Sequence, residues 1–430
     1  MTILDQVPVP APTLARDIGR WGLLALTINC VVGAGILGLP GRVFALAGPW
    51  IGWVLAGAAL IATAATLCLA ELASRFDVTG GPAQYLHAAF GPIAGFVTGW
   101  LSWSATVLGA AALLDLLADL VATEPGVRMV LLVCAGFVLT VVTMSGARRS
   151  AAASGAFTLA KLALLVALVV AGLVVPAHPA RLPPGLPNPS MALVLVFFAF
   201  VGFERPSAVA GEVADARSAA PFALIAAMLA VTALYTGIFV ACLRDVPGLA
   251  VSRQPVADLA ARVLGPGAGR MLNLGVGLII LGTLISQWIT APRLLLALAQ
   301  AGQLPAGLAS LSRRRHTPDV AITATGIVAT LLAIGGGFTS AVAASSASRL
   351  VIFLGCAAAM IEFRRRRDAP IARFRLPGGL LVASAVIVAC AAVLATAAQE
   401  LAPLAVIVLI GGLLWLFTKW ARTWTARLGR

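Results

Sequence analysis

Gly33-Ala34-Gly35-Ile36-Leu37-Gly38-Leu39-Pro40 lies at the centre of an apolar run that extends from about Trp21 to Ala47. The run is long enough to cross the ~30 Å hydrocarbon layer of a bilayer. Three glycines and a proline weaken a helix in its middle. A second apolar run, from about Met191 to Ala210, is broken in the same manner by Phe200-Val201-Gly202-Phe203-Glu204-Arg205-Pro206. In lipid, backbone leaves the helix only where protein buries it or where it lines a water-filled cavity. Paired breaks at matching places in two halves of a chain point to a binding site at the midplane between them.

The composition agrees with a polytopic helical membrane protein. The chain is 60% hydrophobic and 11% charged, with a mean hydropathy of +1.01; a soluble domain carries roughly 25% charged residues. The net charge of +14 raises nucleic-acid binding as a reading. The basic residues, however, cluster in short loops between apolar spans, as membrane topology requires, so no nucleic-acid partner is expected. Cys30, Cys68, Cys134, Cys242, Cys356 and Cys390 fall inside apolar spans without metal-ligand spacing and read as buried thiols. No metal and no cofactor is expected. Met1 to Ala15 is interrupted by prolines and the first apolar run exceeds a cleavable signal segment, so none is expected.

Twelve spans are expected, at about 20–47, 51–74, 90–121, 129–145, 156–175, 189–210, 222–243, 270–297, 318–338, 342–362, 378–398 and 402–419. Gly91-Pro92, Pro125-Gly126, Gly265-Pro266-Gly267 and Pro377-Gly378 read as loops between them. With alternating spans and an inner N-terminus, 20 of the 30 basic residues fall inside and 7 outside. Both termini are therefore expected in the cytoplasm, and the protein in the cytoplasmic (inner) membrane. The chain reads as a single transporter domain, 1–430, with repeats at about 20–175 and 189–362 of five spans each. An odd number inverts the second repeat relative to the first. Helices 11–12, at about 378–419, lie outside the repeats.

The breaks set the expected chemistry. Gly33, Gly35 and Gly38 let a ligand approach main chain, and free N–H groups at the start of an outer half-helix suit a carboxylate. The same glycines can instead serve helix–helix packing. At the second break, carbonyls of Ala199, Phe200 and Gly202 suit an ammonium group. Together the breaks accommodate a zwitterion. Phe197, Phe198, Phe200 and Phe203 are candidates for an aromatic lid or gate, or for ordinary packing. Lys161 stands within an apolar span, where a charge is costly and points to function; it is a candidate proton or cation-site group, or a side chain that snorkels to the interface. Glu204 reads equally as a proton site or as a carboxylate that caps freed backbone N–H groups. Arg205 is expected to pair away from Glu204, with Asp115 and Asp119 as candidates if these are not simply at the outer rim. Arg349 has no evident partner. Glu71 and Arg75, spaced i, i+4, read as a local ion pair. His87, His178 and His316 are all expected in loops.

These stretches resemble the amino acid–polyamine–organocation (APC) superfamily of permeases over nearly the whole chain. Gly33-Ala34-Gly35-Ile36 with Leu39-Pro40 is similar to its first-span motif. Leu69-Ala70-Glu71-Leu72-Ala73-Ser74-Arg75-Phe76, followed by Thr79-Gly80-Gly81, Tyr85 and Ala89-Phe90-Gly91-Pro92, resembles its most diagnostic region. Phe197 to Glu204 with Glu212 and Pro221 resembles the sixth span and the loop after it. Arg293, Gly302-Gln303-Leu304-Pro305 and Thr317-Pro318 are similar to the loop after the eighth span. The resemblance implies a LeuT-type fold with discontinuous helices 1 and 6. It implies a substrate carboxylate on Ala34, Gly35 and Ile36, a substrate amine near Phe198, Ala199 and Val201, and an aromatic gate at about Phe198. It also implies that Lys161 takes the place that a cation holds in sodium-coupled relatives of this fold. Two departures stand out. Gly211-Glu212-Val213-Ala214-Asp215-Ala216 replaces a common Glu-Glu-x-Lys-Asn-Pro, and Arg205 and Arg349 replace small or neutral residues.

The expected function is alternating-access transport of neutral L-amino acids, proton-coupled or by exchange. The alternatives are a cationic amino acid or polyamine antiporter, and an amino acid exporter. A membrane receptor or an intramembrane enzyme is the reading from another class; the absence of a nucleophile–base pair in the spans argues against the enzyme.

Overall fold

A computed structural model describes residues 14–428 apart from 15, 34, 123, 184–185, 253, 266–267, 336–337 and 397–400. Its helices, in chain order, are α1 (Arg20–Val31), α2 (Gly35–Ala47), α3 (Ile51–Ala73), α4 (Pro82–Phe90), α5 (Pro92–Val121), α6 (Pro125–Met144), α7 (Ala147–Val174) and α8 (Pro189–Phe200). They continue with α9 (Ala216–Asp245), α10 (Pro255–Leu264), α11 (Ala268–Gln300), α12 (Asp319–Gly335), α13 (Phe338–Arg365), α14 (Gly379–Thr396) and α15 (Leu401–Leu428). Among the described residues nine helical stretches are long and apolar enough to cross a membrane, and Arg20–Val31, Asp319–Gly335 and Gly379–Ala395 are shorter apolar helices. The chain is therefore a multi-pass helical membrane protein.

Prolines begin many of these helices. Pro82, Pro92, Pro125, Pro189 and Pro255 stand in the first turn, where a missing N–H costs nothing and the fixed φ suits the helix. Gly91-Pro92 and Pro125-Gly126 are thus helix starts as much as loops. At α8 the Asn188 side chain also accepts the Met191 N–H at 3.1 Å, a side-chain N-cap. Two helices, α4 and α10, were not expected, because each is too short to span. His87 accordingly belongs to α4 rather than to a loop, whereas His178 and His316 lie outside helices. Cys134 is exposed on α6 instead of buried; the other five cysteines are buried.

The core forms around α1, which packs on α9, α7 and α11, and around α5, which packs on α13, α11 and α4. Helix α14 lies against α13 and α3, and α15 against α5 and α13. Where α6 meets α12, Gly136 faces Thr330 and Gly326 faces Thr140 so closely that neither site has room for a side chain. Close approach over small residues is how helices associate in lipid, where apolar surface gains nothing by leaving the hydrocarbon.

One face of the bundle is laced by polar ties. Ile18 forms a parallel bridge with Val213, with Ile18 N–H donating to Glu212 O at 3.0 Å and Ala214 N–H to Ile18 O at 3.1 Å. Arg293 of α11 clasps the Glu212 carboxylate at 2.7 and 3.1 Å, both side chains buried. Glu71 receives Arg75 at 2.9 Å, Arg364 Nε at 3.0 Å and the Leu376 N–H at 2.8 Å. The expected Glu71–Arg75 pair is therefore one edge of a larger cluster that joins α3 to α13 and the segment after it.

Candidate functional site

Both expected breaks are present, each displaced from the centre of its motif. Helix α1 stops at Val31, Val32 is extended (φ −74, ψ 91), and α2 already begins at Gly35. Ala34 lies outside the described residues. Gly35, Ile36 and Gly38 are consequently helical, with Gly35 exposed and Gly33 half-buried. Helix α8 stops at Phe200, Val201 is extended (φ −69, ψ 145), and the chain resumes as a 3-10 helix over Arg205–Glu212. An ordinary half-helix was expected there. Pro206 in its first turn and the Gly202 φ of 123 explain the departure, since a residue with a Cβ resists that φ. A Cβ on Gly202 would also lie 2.5 Å from Cys30 O, so the two breaks touch.

The ends of helices α1 and α8 leave carbonyls without intrahelical partners, and side chains from elsewhere supply donors. The Lys161 ammonium donates to Asn29 O at 3.1 Å and to Val32 O at 2.6 Å. Thr283 Oγ1 donates to Val32 O at 3.2 Å, and Arg205 NH1 donates to Cys30 O at 3.3 Å. The Tyr235 hydroxyl lies 3.2 Å from Val31 O and 3.1 Å from Ala199 O, one hydrogen shared between the two breaks. Cationic donors at a helix C-terminus are further favoured by the macrodipole. Lys161, fully buried on α7, therefore points inward to the first break rather than snorkelling. Asn29 locks the same region, donating to Gly282 O at 2.7 Å and Ser154 Oγ at 2.9 Å.

Glu204 holds the second break. Its Oε2 accepts the Gly202 N–H at 3.0 Å, a cap of freed backbone, while Oε1 accepts Arg349 NH1 at 3.2 Å. Arg349 of α13 thereby has the partner that the sequence left open, and its NH2 reaches Ala105 O and Ser345 Oγ, both at 3.2 Å. Arg205 does not pair with Asp115 or Asp119: those carboxylates hold Arg128, Asp119 at 2.9 Å. Arg128, in the first turn of α6, is nearer to both in sequence. Contrary to the expectation that it pairs elsewhere, Arg205 stays in ion-pair range of its neighbour, Nε 4.0 Å from Glu204 Oε1, because residues 201–204 form a turn in place of regular helix.

The aromatic candidates separate. Phe203 is buried and stacks on Phe353 at 4.9 Å. Phe197 and Phe200 are also buried, whereas Phe198, Ala199 and Val201 are half-buried. Asn29, Tyr235 and Thr283 were missed. A signal existed for Tyr235: it is one of two tyrosines in the chain, and a buried phenol needs a hydrogen-bond partner. Removing that hydroxyl in Tyr235→Phe deprives both breaks of a donor, so thermal unfolding in detergent is expected to show a loss of about 1–3 kcal/mol; an unchanged midpoint would show that neither carbonyl depends on it.

The sequence profile of the amino acid permease family matches residues 18–417. The chain belongs to that family. It is thus an APC-superfamily transporter of amino acids and not an enzyme. The serine/threonine exchanger SteT of Bacillus subtilis is 26% identical over 72% of this chain and 74% of its own length. The methylthioribose transporter of the same organism is 25% identical, over 85% of both chains. The cationic amino acid transporter 3, mitochondrial, of Arabidopsis thaliana is 25% identical over 82% of this chain, which spans 63% of that longer relative.

Proposed function

We propose that this permease carries zwitterionic amino acids by alternating access, with the substrate carboxylate on the N-terminal N–H groups of α2 and its ammonium at the carbonyl end of α8. The observation that carries the reading is the contact of the two breaks, which presents N–H groups and carbonyls of bare main chain at one place. In this reading Gly33, Ala34, Gly35 and Ile36 receive the carboxylate, and Phe198, Ala199, Val201 and Gly202 receive the amine. Phe198, half-buried beside them, serves as the gate, with Phe203 behind it. Twelve spans in a LeuT-type inverted 5+5 arrangement, both termini in the cytoplasm and residence in the inner membrane complete the proposal; the bounds of α1 to α15 and the loop charges support them. The ties among Ile18, Val213, Glu212 and Arg293 supply a barrier on one side, while exposed Gly35 supports access from the other.

Coupling is proposed to proceed by protons or by exchange, with Lys161 as the internal substitute for a bound cation. Its ammonium already occupies the carbonyl ends of Asn29 and Val32, which a separate cation would need. The exchanger name of the Bacillus relative favours exchange. Carriage of cationic amino acids is disfavoured by Lys161, Arg205 and Arg349, which place positive charge at the breaks. Counterflow in proteoliposomes tests the carrier reading: unlabelled amino acid inside is expected to drive transient accumulation of labelled amino acid. Uptake that never exceeds equilibration would indicate a channel and defeat it.

A further inference from the structure

The charges at the two breaks do not balance. Lys161 and Arg205 hold carbonyls of the first break, and Arg349 holds Glu204, which caps the second. Three cations thus share one carboxylate; among the described residues no other acid pairs with any of them. The C-terminal ends of α1 and α8 each offset roughly half a positive charge. Together they cancel one of the two surplus charges, and the N-terminus of α2 adds about half a charge back. A neutral zwitterion leaves this surplus in place, a cation raises it, and a monoanion removes most of it.

The donors are as unevenly committed as the charge. Lys161 and Arg349 make two and three hydrogen bonds, respectively. Arg205 makes one, to Cys30 O, and its buried Nε has no hydrogen-bond partner among the described residues. An unpaired donor on a buried charge is expensive. A guanidinium offers a planar fork that matches a carboxylate bidentately, and such pairs are about twice as strong as neutral hydrogen bonds.

We propose that the preferred substrate carries a second carboxylate, as an acidic amino acid does, and that Arg205 is the residue that selects it. This rests on the amino acid reading above and narrows its substrate class.

The test compares aspartate with asparagine and glutamate with glutamine, pairs that match in shape and differ in charge. Binding to the purified full-length chain is measured by thermal shift titration, and uptake in proteoliposomes. At least one acid is expected to bind about 10-fold or more tightly than its amide, a difference of about 1.4 kcal/mol. In Arg205→Gln that ratio is expected to fall to within about 2-fold. If the amides bind as well as the acids while other amino acids are carried, acid selectivity is overturned and the amino acid reading stands. If none of the twenty amino acids binds or is taken up, that reading fails and takes this one with it. Should the Gln variant not fold, the wild-type ratio decides the substrate class and Arg205→Lys decides the residue. It keeps the charge and loses the fork, so an undiminished ratio overturns the assignment to Arg205.

Discussion

Lys161→Ala is expected to reduce uptake in proteoliposomes to background while weak substrate binding survives. Among the described residues the ammonium is the only side-chain donor onto Asn29 O, and it shares Val32 O with Thr283. Its removal leaves a buried carbonyl at the point where α1 ends, at about 1–3 kcal/mol, and opens a void where a fully buried side chain stood. The half-helix then loses its charged tie to α7 and keeps the neutral ones, Asn29 to Ser154 and Thr158 to Ala25. A substrate held by main chain at α2 and α8 still finds its contacts, so binding weakens less than movement does. Lys161→Gln separates charge from hydrogen bonding, because an amide can donate to one carbonyl without a positive charge. Recovery of transport in Lys161→Gln would assign the residue a hydrogen-bonding role; wild-type uptake in Lys161→Ala would remove it from the mechanism.

The breaks were legible because their cause is local. Glycines and a proline within an apolar run, as in Gly33 to Pro40, change backbone preference wherever they stand. Their exact limits were not legible, because tertiary donors decide which carbonyls can be left without a helical partner. Lys161, Tyr235, Arg205 and Thr283 reach the end of α1 from α7, α9, the 3-10 segment and α11. For that reason the helix ends at Val31 and resumes at Gly35, leaving Gly38 in regular helix. Charge pairing was illegible on the same ground. Arg349 and Glu204 are 145 residues apart, and Arg293 and Glu212 are 81 apart. No periodicity links such positions, whereas Glu71 near the end of α3 and Arg75 just beyond it, four residues on, could be paired by spacing alone. The short helices α4 and α10 escaped for a different reason: a search for spans ~20 residues long overlooks them, although Pro82 and Pro255 mark where each begins.

Gly35→Leu is expected to fold normally and to lose substrate binding. In most glycines of a packed bundle those two effects cannot be told apart, as Gly202 illustrates, since a side chain there strikes the Cys30 carbonyl. Gly35 differs. A Cβ built on it meets no atom within 4 Å, and it lies at the first position of α2, exposed. A side chain there starts into open space, so its packing cost is small. It also stands in front of the free N–H groups of the first turn of α2, the proposed seat of the carboxylate. The melting temperature without ligand should therefore stay close to that of the wild type. The stabilisation by substrate, about 2.7 kcal/mol at a hundredfold excess over Kd for the wild type, should vanish. Gly35→Ala, which adds only a methyl group, should fall between the two. Wild-type affinity in a well-folded Gly35→Leu would mean that the carboxylate binds elsewhere.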